Sequence, residues 1–348
     1  MLSGVTAKGV KKMPFPGPLN LITDVPGVTV GHATDDRVAT GVTVLLLPEA
    51  WNAGVDIRGG GPGERETAVL EPENLVGHAH ALVLSGGSVF GLAAADGVAA
   101  LLSQRGVGLK FAEKSPFIPI VPSAVLHDLA NEGDKQWGLD PPYRALAMQA
   151  VEAASRDFAL GSFGAGRGAM AGTVKGGIGS ASLDLGEGLM VGALVAANPV
   201  GSVLMPDGKT YWAWPFEFAD EFGGIRPTGS ADAHDPIPDL SKLSQRLKPG
   251  ANTTLAIVAV SAALTTAECK RLAMMAQDGL SRAIRPAHTP FDGDTVFAVA
   301  HGVELPSSGL ERAVQVARLG SAAADCLARA IARAVHQASL PHHQNSVG

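Results

Sequence analysis

Two short segments of the sequence carry residue types at spacings that can do chemistry. Asn252, Thr253 and Thr254 stand between a Pro-Gly turn and a run of small apolar residues, PGANTTLAIVAV (249–260). About forty residues later, FDGDTVFAVA (291–300) sets Asp292 and Asp294 on either side of Gly293. In an extended segment that spacing projects both carboxylates to one face, and the glycine lets another backbone approach. A threonine hydroxyl directly after a peptide bond can attack the carbonyl before it. An acyl shift from nitrogen to oxygen, followed by hydrolysis, then frees a new N-terminus at Thr253. The freed α-amino group, with a reference pKa of about 7.7–8.0, is partly neutral near pH 7 and can serve as base for the adjacent hydroxyl. One residue would then supply both nucleophile and base.

Such a threonine needs carboxylates to orient its hydroxyl and amine, a cation to tune the amine, and an amide donor for the oxyanion. Asp292 and Asp294 offer the carboxylates. Lys175, amid the glycines of GSFGAGRGAMAGTVKGGIGSAS (161–182), offers the cation, and Asn198, before Pro199 at a strand's end, offers the donor. Each has a plainer reading. Asn252 to Thr254 fit an ordinary turn leading into a strand, the DG pair fits a β-turn with solvated carboxylates, Lys175 fits a surface lysine, and Asn198 fits a turn start. Asn-Thr-Thr also matches an N-glycosylation acceptor, a reading that requires a secreted chain.

Two further segments compete. LSGGSVFGL (84–92) suggests a serine-hydrolase elbow around Ser88, but the final glycine of G-x-S-x-G is missing. Ser88 is better explained as a helix N-cap, with Ser85 to Gly87 making the turn. RGGGPGERET (58–67) could cradle a phosphate, yet Pro62 and the absence of GK[ST] argue against a P-loop.

The elements that must position these residues are legible in part. Strand-like runs occur at ITDVPGVTVGHAT, at 40–48 and at 53–63, separated by Gly/Pro turns. Residues 80–106 read as a buried strand, a Gly-Gly turn and a helix from about Ser88. A strand-like run follows at 188–204, and a Pro- and Asp-rich surface excursion near 226–242. Beyond Asn252 the pattern predicts a strand (255–261), a helix starting near Thr265 with a capping box closed by Glu268, a strand (295–300) and a long Ala-rich helix over about 311–338. Pro14, Pro16 and Pro18 predict a flexible or extended N-terminal arm over 1–20, ahead of one catalytic domain over 21–348. His342 and His343 read as part of a frayed end.

Composition narrows the class. The 348 residues are 46% hydrophobic and 17% charged, with 43 glycines, which describes a tightly packed enzyme-like body. A dispersed net charge of −6 and the lack of a basic stripe set nucleic acid aside as a partner. Cys269 and Cys326 are the only cysteines, without metal-site spacing, and fit a reducing compartment as buried packing. The N-terminal basic residues are followed by no apolar signal-like region, and no segment approaches eighteen uninterrupted apolar residues. A soluble, cytoplasmic protein with no membrane partner, no metal and no cofactor is the expectation.

Over about residues 20–335 the sequence resembles the DmpA-like L-aminopeptidase/D-esterase family, which includes β-peptidyl aminopeptidases and 6-aminohexanoate-oligomer hydrolases. ITDVPGVTVGHAT, ATGVTVLLLP, VDIRGGGPGERET, LVLSGGSVFGLAAADGV, PIVPSAVLHDL, AANPVG, ANTTLAIVAV and HTPFDGDTVFAVA occur in the family's order. The resemblance implies an α/β layered sandwich (αββα) related to N-terminal-nucleophile hydrolases, self-cleaved into chains 1–252 and 253–348 that stay together, often as homo-oligomers of four such pairs. It implies Thr253 as nucleophile, Asn252-Thr253 as the processed bond, and supporting roles for Lys175, Asn198 (at the oxyanion), Asp292 and Asp294. Ser85, Gly86 and His127 are implied at the substrate pocket; His127 departs from the aromatic residue, such as Tyr, expected there. Threonine with DGD is similar to the oligomer-hydrolase branch, whereas the best-known aminopeptidase members use serine. The implied substrate is a small peptide or amide, with linear ω-amino-acid oligomers as the alternative. A non-enzymatic ligand-binding or assembly protein with an uncut chain is the reading from another class.

Overall fold

The computed structural model describes residues 13–228, 234–245 and 252–340. In chain order the strands and helices are β1 (Thr29–Asp35), β2 (Thr40–Ile57), β3 (Glu64–Arg65), β4 (His78–Ser85), α1 (Ala93–Gln104), β5 (Ser123–Val125), α2 (Tyr143–Glu152), β6 (Met170–Ala171), β7 (Val174–Lys175), β8 (Gly177–Asp184), β9 (Met190–Asn198), β10 (Thr253–Ala262), α3 (Thr266–Ala283), β11 (Thr295–Val303) and α4 (Gly309–Ser339). Nine strands share one hydrogen-bonded ladder: eight follow the path β3-β5-β4-β2-β11-β10-β9-β8, and β1 pairs with β2 off that path. β6 and β7 form a separate hairpin.

β2 is the hinge of this path. Its first half, from Thr40 to Leu46, pairs with β1 and β4, and its second half, from Asn52 to Ile57, pairs with β11, while β4 stays paired through Trp51 and Asn52. The register with β4 shifts between Leu46 and Trp51, so the ladder folds there without breaking. Sequence reading separates 40–48 from 53–63; the structure joins them as one 18-residue strand that serves two sheets.

Period-2 alternation then sorts the core into three layers. Leu45, Leu82, Leu84, Leu194, Ile257, Phe297 and Val299 pack between the two sheets. Their neighbours Val42, Val44, Ala81 and Val83 face outward onto α1 and α2. Val191, Val195, Val258 and Val296 face the other way onto α3 and α4. The order is helix, sheet, sheet, helix, the expected αββα sandwich. Each fully buried Leu, Ile or Phe contributes about 1.5–3 kcal/mol, so the middle layer alone outweighs any single polar contact.

Local rules explain the C-terminal half best. Thr265 caps α3 by accepting the N–H of Glu268, whose carboxylate takes the N–H of Thr265 in return. β10 and β11 lie parallel, the pairing that a crossover helix such as α3 permits. Glycine sets the helix–sheet spacing: a side chain on Gly179 of β8 would overlap the carbonyl of Ala330 in α4.

Two local expectations are corrected. Ser88 is not an N-cap; it lies inside a 3-10 turn (Ser88–Leu92) at a φ of 51°, and Gly87 before it takes the left-handed conformation while donating its N–H to buried Asp128. The strand expected over 188–204 ends at Asn198. Residues 13–17 of the arm are extended along β8, with mutual Phe15–Asp184 backbone bonds and the Gly17 N–H on Ser182 Oγ, before the chain turns over Gly17–Asn20. Fully buried Arg329 ties down its last residue, Asn20. Residues 1–12, and the tail with His342 and His343, lie outside the described residues.

Among the described residues no helix is long and apolar enough to cross a membrane, and no group of three or more His, Cys, Asp or Glu is placed to hold a metal. Cys269 and Cys326 are buried free thiols whose pKa burial pushes up.

Candidate active site

β10 begins at Thr253, and the residue directly opposite on β9 is Asn198. Thr253 shares its parity with Leu255 and Ile257, and Asn198 with Leu194 and Ala196, all of the middle layer. Both side chains therefore sit on the inner face, at the rim of the sandwich where the sheets part. Thr253 is buried, and its hydroxyl donates to the carbonyl of Asn252. The Gly293 N–H donates to that same carbonyl at 3.2 Å. Asn252 and Thr253 line a cavity of about 500 Å³ together with Pro62, Glu64, Val89, Val125, His127 and Phe291.

The DGD segment encloses the start of β10. Asp294 accepts the Thr254 N–H at 2.9 Å with Oδ1, and both the backbone N–H and ring Nδ1 of His288 with Oδ2, at 3.0 and 2.9 Å. Asp292 accepts the Val200 N–H at 3.0 Å with Oδ1, and the Thr289 N–H and hydroxyl with Oδ2, at 3.1 and 2.6 Å. Burial, and secondarily the charge of Asp294, push Asp292 up to about 6 against those hydrogen bonds. In the intact chain Asp294 thus holds the backbone just after Thr253, and Asp292 the backbone just beyond Asn198, the residue opposite it.

The glycine run that could have suggested a phosphate cradle does something else. Gly61 donates its N–H to Asp292 O at 2.8 Å, and Arg58 and Gly59 donate theirs to Asp294 O at 3.0 and 3.3 Å. A side chain on Gly59 would overlap the DGD backbone. The two segments lie backbone against backbone, which glycine alone permits.

The other expected residues divide. Asn198 accepts the Met170 N–H at 2.9 Å and donates to the carbonyl of His127 at 3.2 Å. His127 lines the cavity, and its buried Nδ1 has no hydrogen-bond partner among the described residues. Ser85 and Gly86 do not line it: Ser85 is fully buried with its hydroxyl on Gly86 O, and Gly86 packs against Asp128 and Thr40. The wall there is made by Ser88 and Val89 instead. Lys175 pairs with Glu132 at 3.7 Å and lines a separate cavity of about 250 Å³.

Sequence reading missed two groups. Lys242 lies in the 3-10 turn Lys242–Gln245, within the stretch read as a surface excursion, yet its ammonium points inward and donates to Asn252 Oδ1 and Met170 O, both at 2.7 Å. Burial lowers its pKa to about 7, opposed by the charge of Asp292. Glu64 is the carboxylate among the residues lining the cavity. It accepts the Thr295 hydroxyl at 2.8 Å with Oε1, and burial raises its pKa against that hydrogen bond. No local pattern marks either residue, because both are turned inward by contacts distant in sequence.

A buried threonine hydroxyl on the preceding carbonyl, backed by an amide donor and paired carboxylates, is an arrangement suited to acyl transfer. Residues 20–345 of the chain match the model of peptidase family S58. The chain belongs to this family. As a member of peptidase family S58 it is a hydrolase of amide or peptide bonds, which displaces the reading of a non-catalytic binding protein. It is 42% identical over 334 residues to an uncharacterized aminopeptidase of Mycobacterium tuberculosis, covering 90% of this chain and 92% of the relative. It is 31% identical over 332 residues to a 6-aminohexanoate-oligomer endohydrolase of Kocuria, covering 89% and 84%. Its fold matches the L-aminopeptidase D-Ala-esterase/amidase of Ochrobactrum anthropi, described as a variant of the Ntn-hydrolase fold, with a TM-score of 0.67 at 22% identity over 95% of this chain and 89% of that one. This member of family S58 thus has an Ntn-hydrolase-like fold.

Proposed function

We propose that this hydrolase cuts itself between Asn252 and Thr253 and then uses the freed Thr253 as an N-terminal nucleophile on small peptides or amides, in the manner of an aminopeptidase. The observation that carries this reading is the convergence on one carbonyl: the Thr253 hydroxyl and the Gly293 N–H both address Asn252 O at the wall of an open cavity.

The Thr253 oxygen forms a bond to the Asn252 carbonyl carbon while Gly293 N–H supports the oxyanion. The carbon–nitrogen bond breaks, and the hydroxyl proton ends on the Thr253 nitrogen, leaving an ester. Water hydrolyses the ester, giving Asn252 a carboxylate and Thr253 a free amine and hydroxyl. In turnover the same hydroxyl takes the acyl group of a substrate, its own amine moves the proton to the leaving amine, and water releases the acid. Asn198, opposite Thr253, is the oxyanion donor in this reading, and Asp292 and Asp294 hold the new terminus. The two chains remain together and assemble into homo-oligomers.

Glu64 supports the aminopeptidase assignment, because a carboxylate in the cavity wall can take the ammonium of a substrate's N-terminus. A second reading, cleavage of linear ω-amino-acid oligomers, is favoured by the 31% identical Kocuria endohydrolase. Intact mass of the purified protein tests the common step: fragments 1–252 and 253–348 are expected, and Thr253→Ala must leave one chain. A stable uncut wild type refutes it. Hydrolysis of p-nitroanilides, β-peptides and 6-aminohexanoate oligomers by the processed enzyme separates the two substrate readings.

A further inference from the structure

The bond between Asn252 and Thr253 must be held in one orientation for the hydroxyl to reach the carbonyl carbon. The carbonyl is held by Gly293, and Thr254 by Asp294. What holds the Asn252 side chain is Lys242: its Nζ donates to Asn252 Oδ1 at 2.7 Å, whereas Asn252 Nδ2, though buried, has no partner among the described residues. The same ammonium donates to Met170 O at 2.7 Å, and the Met170 N–H donates to Asn198 Oδ1 at 2.9 Å. Asn198 faces Thr253 across the ladder. A continuous set of hydrogen bonds therefore runs from the residue before the bond, through Lys242 and Met170, to the residue opposite the hydroxyl. Lys242 is itself anchored, with its N–H on Val200 O at 2.9 Å, and the next hold on that backbone is Asp292, which accepts the Val200 N–H.

We propose that Lys242 is a positioning residue for self-cleavage, acting through the side-chain amide of Asn252. The proposal rests on the threonine-hydrolase reading above. It deepens that reading by assigning the processing step a residue that holds the acyl side of the bond. Lys175, paired with Glu132, makes no such hydrogen bond to Asn252 among the described residues.

The test follows conversion of the full chain to its two fragments by intact mass. Lys242→Met is expected to slow cleavage by about tenfold to a hundredfold, the cost of losing orientation at a reacting centre. Asn252→Ala is expected to slow it comparably. Because the two act as one unit, the double variant should be no slower than the slower single one. Lys242→Arg, which keeps a charged donor, should recover part of the rate, as a merely space-filling role would not require. Cleavage of Lys242→Met within about twofold of wild type overturns the proposal, and so do effects of the two single variants that multiply fully in the double. Should Lys242→Met fail to fold, Asn252→Leu carries the test: it removes the acceptor of the Lys242 bond at similar side-chain volume, and its cleavage at the wild-type rate is equally fatal. A wild type that stays uncut refutes the hydrolase reading itself, whereas a cut wild type with an equally fast Lys242→Met refutes only the clamp.

Discussion

Gly293→Ala is the most direct probe of the geometry around Thr253. A Cβ built on Gly293 comes 2.7 Å from Thr253 Oγ1, 2.8 Å from Gly61 O and 3.3 Å from Pro62 Cα. The first two fall roughly 0.6–0.7 Å short of ordinary contact, which begins near 3.4 Å. The φ of Gly293 is not in the left-handed region, so alanine is excluded by its neighbours rather than by its backbone. Gly61 cannot easily give, because its N–H is bound to Asp292 O. Relief must come from the threonine hydroxyl and from Gly293 itself. Shifting a reacting oxygen by something approaching 1 Å costs about a hundredfold in rate, and loosening one oxyanion donor costs about 10²–10³-fold. The two displacements share a cause, so the expectation is self-cleavage slowed by about 10²–10³-fold rather than their product. Overpacking costs roughly 1–3 kcal/mol of stability. In a Thr253→Ala background that cost should shrink, because the nearest clashing atom has gone. A time course by intact mass gives the rate, and thermal unfolding of uncut variants gives the stability. If Gly293→Ala cleaves within about threefold of wild type, the placement of Gly293 against the scissile carbonyl is wrong.

Two other outcomes follow from the same site. Asp292, raised to about 6 in the fold by burial and by Asp294, binds its proton more tightly there than in the unfolded chain, where its ordinary value is 3.8. Between those values the folded state holds more protons, so Asp292 adds stability as pH falls from about 7 toward 4 and withdraws it as pH rises through about 6. Comparing thermal midpoints of uncut Thr253→Ala with and without Asp292→Asn across that window should show the trend, and a flat difference contradicts it. Glu64→Gln should raise KM for substrates with a free amine by about tenfold, the lower end for a lost charge-assisted hydrogen bond at a half-buried site, with little change in kcat. N-acetylated analogues should be indifferent to the change, and equal losses for both kinds of substrate would remove Glu64 from amine recognition.

Local rules reached the C-terminal half of the molecule because its signals are local. The Thr265–Glu268 box starts α3 where four residues say it should, and the apolar runs after Asn252 and Asp294 become β10 and β11. They failed where a distant residue decides. Ser88 has the composition of an N-cap, but the turn before it is set by Asp128, forty-one residues from Gly87. Pro48 and Ala53 look like the end of one strand and the start of another, yet β2 runs through that stretch because β4 pairs with it before and after, with β1 alongside the first half and β11 alongside the second. At the site, Thr253, Asn198, Asp292 and Asp294 were legible as types and spacings, and the structure brings them together. Lys242 was not, since what turns a lysine inward in a Pro- and Asp-rich stretch is the carbonyl of Met170, seventy-two residues away.

The position of β10 in the sheet has a consequence for how the protein survives unfolding. β10 is flanked by β9 on one side and β11 on the other, and the segment after Asn252 supplies two adjacent strands from the middle of the path together with the two helices that cover them. Before a cut at Asn252–Thr253, a denatured molecule refolds as a single chain, at a rate independent of dilution. After it, the middle of the sheet belongs to a separate polypeptide, and recovery requires two chains to meet. Loss of structure would then become dependent on concentration to reverse, and in dilute solution permanent in practice. The mature enzyme's endurance would be governed by how slowly it opens, not by how well it refolds.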